Sequence, residues 1–191
     1  QKCSNCHVPS EFIALDFYLH EMRLFKSKSE IVLMRKAAKI SSIAHHKAMQ
    51  ACKAGKFEYH LEAEIVYEFN KKGSETAYPC IVGSGENGCI LHYTENDQEL
   101  SNGDLVLIDA GVEIEGYASD ISRTFPVSGK FSDAQKELYQ IVLDAQYAGI
   151  EKTKIGHHWN EPHEAVIEVI TKGLVKLGLL KGHVKKLIKD G

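Results

Sequence analysis

The chain has 191 residues, 43% of them hydrophobic and 26% charged, with a formal net charge of -3. That is the make-up of a globular protein with one sizeable core, and no apolar run approaches the ~18 residues of a spanning helix, so membrane-spanning and collagen-like classes are excluded. Lys and Arg are interspersed with Asp and Glu rather than gathered into a basic face, so nucleic acid is not an expected partner.

Residues 1–26 carry neither an export signal nor a periodic core pattern, and read as a linker from a preceding, missing domain, which leaves 27–191 as a partial catalytic domain. Cys3, Cys6, Cys52, Cys80 and Cys89 are odd in number and irregularly spaced. They suggest free thiols in a reducing cytoplasm rather than a disulfide framework. Cys3 and Cys6, beside His7, make one C-x-x-C, but no second pair follows to complete a structural zinc site.

Ser27 and Glu30 have capping-box spacing, and Ile31, Met34, Ala38, Ala48 and Met49 then recur at helical intervals up to Gly55. A second helix is expected from about Glu58 to Lys72, with Leu61, Ile65 and Phe69 on one face and Gly73 as its stop. From Ala77 the character changes to short strands and a glycine loop, Ile81-Val82 and Cys89 to Tyr93 around Gly83, Gly85 and Gly88. The loop fits G-x-G-x-x-G but leads into an expected strand, whereas phosphate cradles open a helix, so a nucleotide site is rejected. Leu105–Ile114 and Tyr117–Val127 read as a hairpin turning at Glu115-Gly116. Ser132 and Gln135 form another capping box, and Glu161-Pro162 opens a last helix toward Leu177. Two helical pairs about 100 residues apart suggest an internal repeat whose second set of strands lies beyond Gly191.

Asp109 and Asp120 interrupt strands made largely of Leu, Val, Ile, Tyr and Phe. A buried carboxylate is costly unless it is paired, hydrogen-bonded or bound to metal. A two-residue turn sets Asp120 opposite Gly111, so both carboxylates point to one face as diagonal neighbours, roughly 7 to 8 Å apart, and can converge on two cations, with Gly111 leaving the space between them open. Arg123 is the one local cation that could pair with them instead. Oxygen ligands favour Mn2+ or Mg2+, and added imidazole would admit Co2+ or Zn2+. His92, after an apolar run, is either a proton-transfer group of this site or a hydrogen-bonded structural histidine. His157, His158 and His163 read as surface residues at the mouth of a helix.

The stretches Ile81-Val-Gly-Ser-Gly-Glu-Asn-Gly-Cys-Ile-Leu-His92-Tyr93-Thr94, Gly103-Asp-Leu-Val-Leu-Ile-Asp109-Ala-Gly111 and Gly116-Tyr-Ala-Ser-Asp120-Ile-Ser-Arg-Thr-Phe-Pro126 closely resemble the aminopeptidase P (Xaa-Pro aminopeptidase) family of pita-bread metallopeptidases, and the likeness extends from about Leu19 to Gly191. The resemblance implies an α+β pita-bread fold, here incomplete: the first αα-β repeat and the helices of the second. It implies release of the N-terminal residue from peptides with proline second, using two Mn2+ ions and a bridging hydroxide. Asp109 would chelate one ion and Asp120 bridge both. His92 would position substrate or shuttle a proton, and Tyr78 would lie near the bridging solvent. Proline-containing peptides are the implied partners, and the full-length protein is expected to be a homo-oligomer.

The family's remaining ligands, one His and two Glu, have no counterpart here, so this stretch alone is expected to be inactive. Two other readings stay open: a prolidase-like dipeptidase, and a non-catalytic pita-bread module that binds peptides or proteins.

Overall fold

Ser27 starts the first long helix as its spacing predicts. Its hydroxyl accepts from the Glu30 N–H at 3.3 Å, and its own N–H donates to the Glu30 carboxylate at 2.5 Å. Such caps are worth about 1 kcal/mol each. The structure, a computed structural model, describes residues 11–190; the Cys3, Cys6 pair lies outside them. It divides into two units, Gln1–Val127 and Ser128–Gly191.

In the first unit α1 (Leu15–Leu24) precedes α2 (Lys28–Ala51) and α3 (Glu58–Asn70). The linker reading of residues 1–26 did not foresee α1. It buries no residue, and so leaves no core periodicity in the sequence; Leu, Glu, Met and Arg are simply good helix formers. On α2, Ala37, Ile40, Ala44 and Ala48 form a buried stripe of mostly small side chains, which lets α3 approach with Leu61, Ile65 and Phe69 fully buried. Each of these three contributes about 1.5–3 kcal/mol.

The strands are β1 (Glu75–Thr76), β2 (Ile81–Ser84), β3 (Leu105–Ala110), β4 (Val112–Ile114), β5 (Tyr117–Ala118) and β6 (Ile121–Pro126). They form two three-stranded antiparallel sheets, ordered β1-β4-β5 and β2-β3-β6. The hairpin turns where expected, with Glu115 at φ 51° and Gly116 at φ 83°. Positive φ at both central residues is the turn geometry that matches strand twist. One register runs through both halves of the hairpin, pairing Ile114 with Tyr117 and Asp109 with Ser122. Along β3, Val106, Ile108 and Ala110 are buried in the core shared with α2 and α3, whereas Leu105, Leu107 and Asp109 alternate onto the opposite, half-buried face.

The expected strand at Cys89–Tyr93 is not formed. Gly85–Cys89 is a short 3-10 turn, and the chain then bends through His92 at φ 57°. What fixes this path is Glu58, in the first turn of α3 and fully buried. Its carboxylate accepts from the Ser84 N–H at 2.6 Å, the Ser84 hydroxyl at 2.7 Å, the Tyr93 hydroxyl at 2.7 Å and the Gln98 N–H at 3.1 Å. A buried acid of this kind stays soluble in the core only because donors surround it.

In the second unit the Ser132, Gln135 box caps α4 (Asp133–Lys152), and Pro162 lies in the first turn of α5 (Glu161–Lys176), both as expected. A short α6 (Val184–Asp190) follows, beyond the Leu177 end expected for the last helix. Among the described residues no helix is long and apolar enough to cross a membrane.

Glu30 links the cap to the hairpin. The Tyr117 hydroxyl donates to it at 2.6 Å, and this bond, followed by those to Ser27, pulls its carboxyl down to about 2. A depressed folded-state pKa stabilises above the unfolded value of about 4.3 and is lost as pH falls toward 2. Comparing urea midpoints of the parent and Glu30→Gln from pH 7 to pH 2 is therefore expected to show an advantage for Glu30 at pH 5–7 that vanishes near pH 2; a pH-independent difference would contradict this.

Candidate metal centre

Asp109 occupies the half-buried face of β3, flanked by Ile81 of β2 and Ser122 of β6. Asp120 stands in the break between β5 and β6, where the hairpin register continued from both sides sets it opposite Gly111. The hairpin is irregular at this step. Ser119 N–H donates to the Val112 carbonyl at 2.9 Å, but the return bond from the Val112 N–H goes to the hydroxyls of Ser41 (3.0 Å) and Ser119 (3.1 Å). The Ser119 carbonyl has instead moved against Gly111: a Cβ there would sit 1.7 Å from its oxygen. Gly111 is thus required for the close passage of the two backbones, and not, as expected from sequence, only to clear space between the carboxylates.

The two aspartates meet at one atom. The Tyr78 hydroxyl lies 2.7 Å from Asp109 Oδ1 and 3.1 Å from Asp120 Oδ1. One O–H cannot satisfy both carboxylates fully. The Ala77 N–H donates to the Gly111 carbonyl at 2.8 Å, which docks the tyrosine's backbone on the same step. Burial, reinforced by the hydrogen bond and charge of Asp109 and then by Asp120, holds the phenol well above its ordinary pKa. Tyr78 is therefore a neutral donor.

Neither acid is deeply buried: Asp109 is half-buried and Asp120 exposed. The burial-cost argument used on the sequence consequently applies only to Asp109. Arg123 does not pair with them; it alternates to the other side at the Ile108 register and its guanidinium donates to the Ser122 carbonyl at 2.7 Å. Among the described residues neither carboxylate has a Lys, Arg or His partner in an ion pair. Two short acids facing one open space without a cationic side chain fit a divalent cation, and their hard oxygens suit Mn2+ or Mg2+. Among the described residues no group of three or more His, Cys, Asp or Glu is arranged to hold a metal.

A cavity of about 420 Å³ opens over the pair, lined by Tyr78, Pro79, Ile81, His92, Thr94, Asp109 and Asp120. All four residues singled out in the sequence therefore share one cavity. His92 reaches it from the bend after the 3-10 turn rather than from a strand end. Left-handed backbone is uncommon for a residue with a Cβ and marks a position fixed by its surroundings. Those surroundings include Tyr93, tied to Glu58, a residue the sequence reading treated only as a helix start. Cys80, just before β2, has its thiol pushed up to about 12, first by burial and then by Glu62 and Asp109, so it is no nucleophile. His157, His158 and His163 are exposed, as expected, and lie in the other unit, where His157 Nδ1 is 2.6 Å from Glu161.

The family model described as metallopeptidase family M24 matches residues 32–187. The chain is 52% identical over 185 residues to the Xaa-Pro aminopeptidase of Escherichia coli strain K12, covering 96% of this chain and 42% of that protein. It is 51% identical over 173 residues to the Xaa-Pro aminopeptidase of Haemophilus influenzae, covering 90% and 40%. Among solved structures, Pseudomonas aeruginosa aminopeptidase PepP superposes with a TM-score of 0.94 at 55% identity, covering 97% of this chain and 42% of that one. Zinc-substituted E. coli aminopeptidase P in complex with product gives 0.88 at 54%, covering 91% and 40%. The chain spans about two fifths of the length of each of these proteins.

Because a Cβ at residue 111 collides with a backbone oxygen rather than a flexible side chain, Gly111→Ala is expected to cost at least about 3 kcal/mol of stability. Urea denaturation of the variant reads this directly, and an unchanged midpoint would contradict the close approach.

Proposed function

Since this chain belongs to metallopeptidase family M24, we propose that it supplies two carboxylate ligands, Asp109 and Asp120, to the dinuclear manganese site of an aminopeptidase that removes the residue preceding proline from peptide N-termini. The observation that carries this reading is the convergence of both acids on the Tyr78 hydroxyl beneath a cavity that also holds His92. The names of the similar proteins support the substrate class.

A bound pair of divalent ions supplies Lewis-acid polarisation of the scissile carbonyl and lowers the pKa of a water. The chain's own residues do the rest. Asp109 and Asp120 would hold the ions and neutralise part of their charge. Tyr78, kept protonated, donates a hydrogen bond at the junction of the two acids and fixes their mutual orientation. His92, exposed at the cavity mouth, accepts or returns a proton at an imidazole nitrogen and orients the substrate. Pro79 and Ile81 give the cavity an apolar wall suited to a pyrrolidine ring. The free thiols Cys52, Cys80 and Cys89 support a reducing cytoplasmic setting. Two carboxylates are too few to complete two metal spheres, so further ligands come from outside residues 11–190.

With the whole gene product and Mn2+, hydrolysis of an Xaa-Pro-Xaa tripeptide is expected to fall on the order of 10³-fold in Asp120→Asn, and at least about 10²-fold in His92→Ala. Exhaustive chelation should abolish it and Mn2+ should restore it. Activity that survives both chelation and Asp120→Asn would overturn the reading, and a strong preference for Xaa-Pro dipeptides would favour a prolidase instead.

A further inference from the structure

Two buried polar side chains on α2 have no part in the proposed chemistry, yet both reach toward the segment that bears Asp120. Ser41 is fully buried and His45 is 3% exposed. They lie one helical turn apart, on the face of α2 that packs against the hairpin. The Ser41 hydroxyl is 2.7 Å from that of Ser119 and accepts from the Val112 N–H at 3.0 Å. The His45 Nε2 is 2.8 Å from the Ile121 carbonyl oxygen, and its Nδ1 is 2.8 Å from the carbonyl of Ser41. The residue before Asp120 and the residue after it are therefore each held from the helix side.

We propose that Ser41 and His45 are positioning residues for Asp120: a two-point clamp that fixes the residues on either side of the aspartate, Ser119 through its hydroxyl and Ile121 through its carbonyl, so that its carboxylate is delivered beside that of Asp109. This rests on the assignment of Asp120 as a metal ligand.

Three observations set the clamp apart from ordinary core polarity. The displaced Ser119 carbonyl, against Gly111, leaves the Val112 N–H without its ladder partner, and the serine hydroxyls replace that partner where the strand pairing breaks. Asp120 itself is exposed, and the only hydrogen bond recorded for its carboxylate among the described residues is the 3.1 Å contact with Tyr78, so its direction depends on its backbone. The clamp comes from a rigid element, since α2 is a 24-residue helix seated in the core. Outer groups that orient a metal ligand typically change metal affinity or activity 10- to 100-fold when removed.

The test uses the whole gene product and reads Mn2+ affinity by calorimetry, together with kcat, KM and the melting temperature of the metal-free protein. Ser41→Ala and His45→Leu remove the two holds; Ser41→Thr and His45→Gln keep a hydroxyl and an N–H donor. The first pair is expected to weaken Mn2+ binding by about 10- to 100-fold and to lower kcat with KM little changed. The conservative pair should restore binding to within about threefold of the parent. If either disruptive variant fails to fold, the other, with the conservative pair, still decides. Parent-like Mn2+ affinity in a folded Ser41→Ala or His45→Leu protein overturns the clamp, as does a loss that the conservative variants share in full. Failure of the parent itself to bind Mn2+, with Asp120→Asn as active as the parent, sinks the metal-site reading and this inference with it. Tight parent binding that Asp120→Asn destroys but the clamp variants leave intact sinks the clamp alone.

Discussion

Two carboxylates that share a single phenolic hydroxyl form an electrostatically incomplete arrangement. Like charges at close range disfavour one another, and a lone O–H can offset only part of that repulsion. Everything around Asp109 and Asp120 keeps them together regardless. The hairpin register places them on one face, Gly111 lets the strands close, and the docked Tyr78 sits between them. So much local order around two acids, without a cationic side chain beside them among the described residues, is what the proposed metal site rests on.

The scaffold explains how a small sheet can hold such a pair steadily. The helices α2 and α3 cover one face of the strands with Ala37, Ala44, Leu61 and Phe69, while the other face carries Asp109 and the cavity. Two buried polar groups extend control across the sheet. Glu58 gathers Ser84, Tyr93 and Gln98 and so sets the path of the segment that carries His92. Ser41 and His45 reach the hairpin on either side of Asp120. Glu58 and the Ser41, His45 pair thus tie the hydrophobic core to the segments that face the cavity.

Much of this was legible in the sequence where the signal is local. The boxes Ser27 to Glu30 and Ser132 to Gln135 form as written, because capping depends on residues three apart. The Glu115-Gly116 turn fixed the hairpin register, and register alone fixed the face shared by the two acids. The α+β pita-bread fold implied by the resemblance is the fold of the chain, present over about two fifths of the proteins it resembles. What the sequence hid was non-local. A glutamate in a helix's first turn does not announce that it will be buried beneath a loop some thirty residues later, as Glu58 is. Nor do Ser41 and His45 stand out within a polar-rich helix. The strand expected at Cys89–Tyr93 gave way to a turn because Glu58 holds Tyr93 inward, and α1 went unseen because none of its residues is buried.

The central claim is that Asp109 and Asp120 exist to hold metal. Crystals of the whole gene product grown with Mn2+ and measured at the manganese absorption edge test it most directly. Anomalous peaks within coordination distance of both carboxylates are predicted. Clear density for the two side chains with no anomalous signal beside them, or with a guanidinium or ammonium group bound in its place, would contradict it.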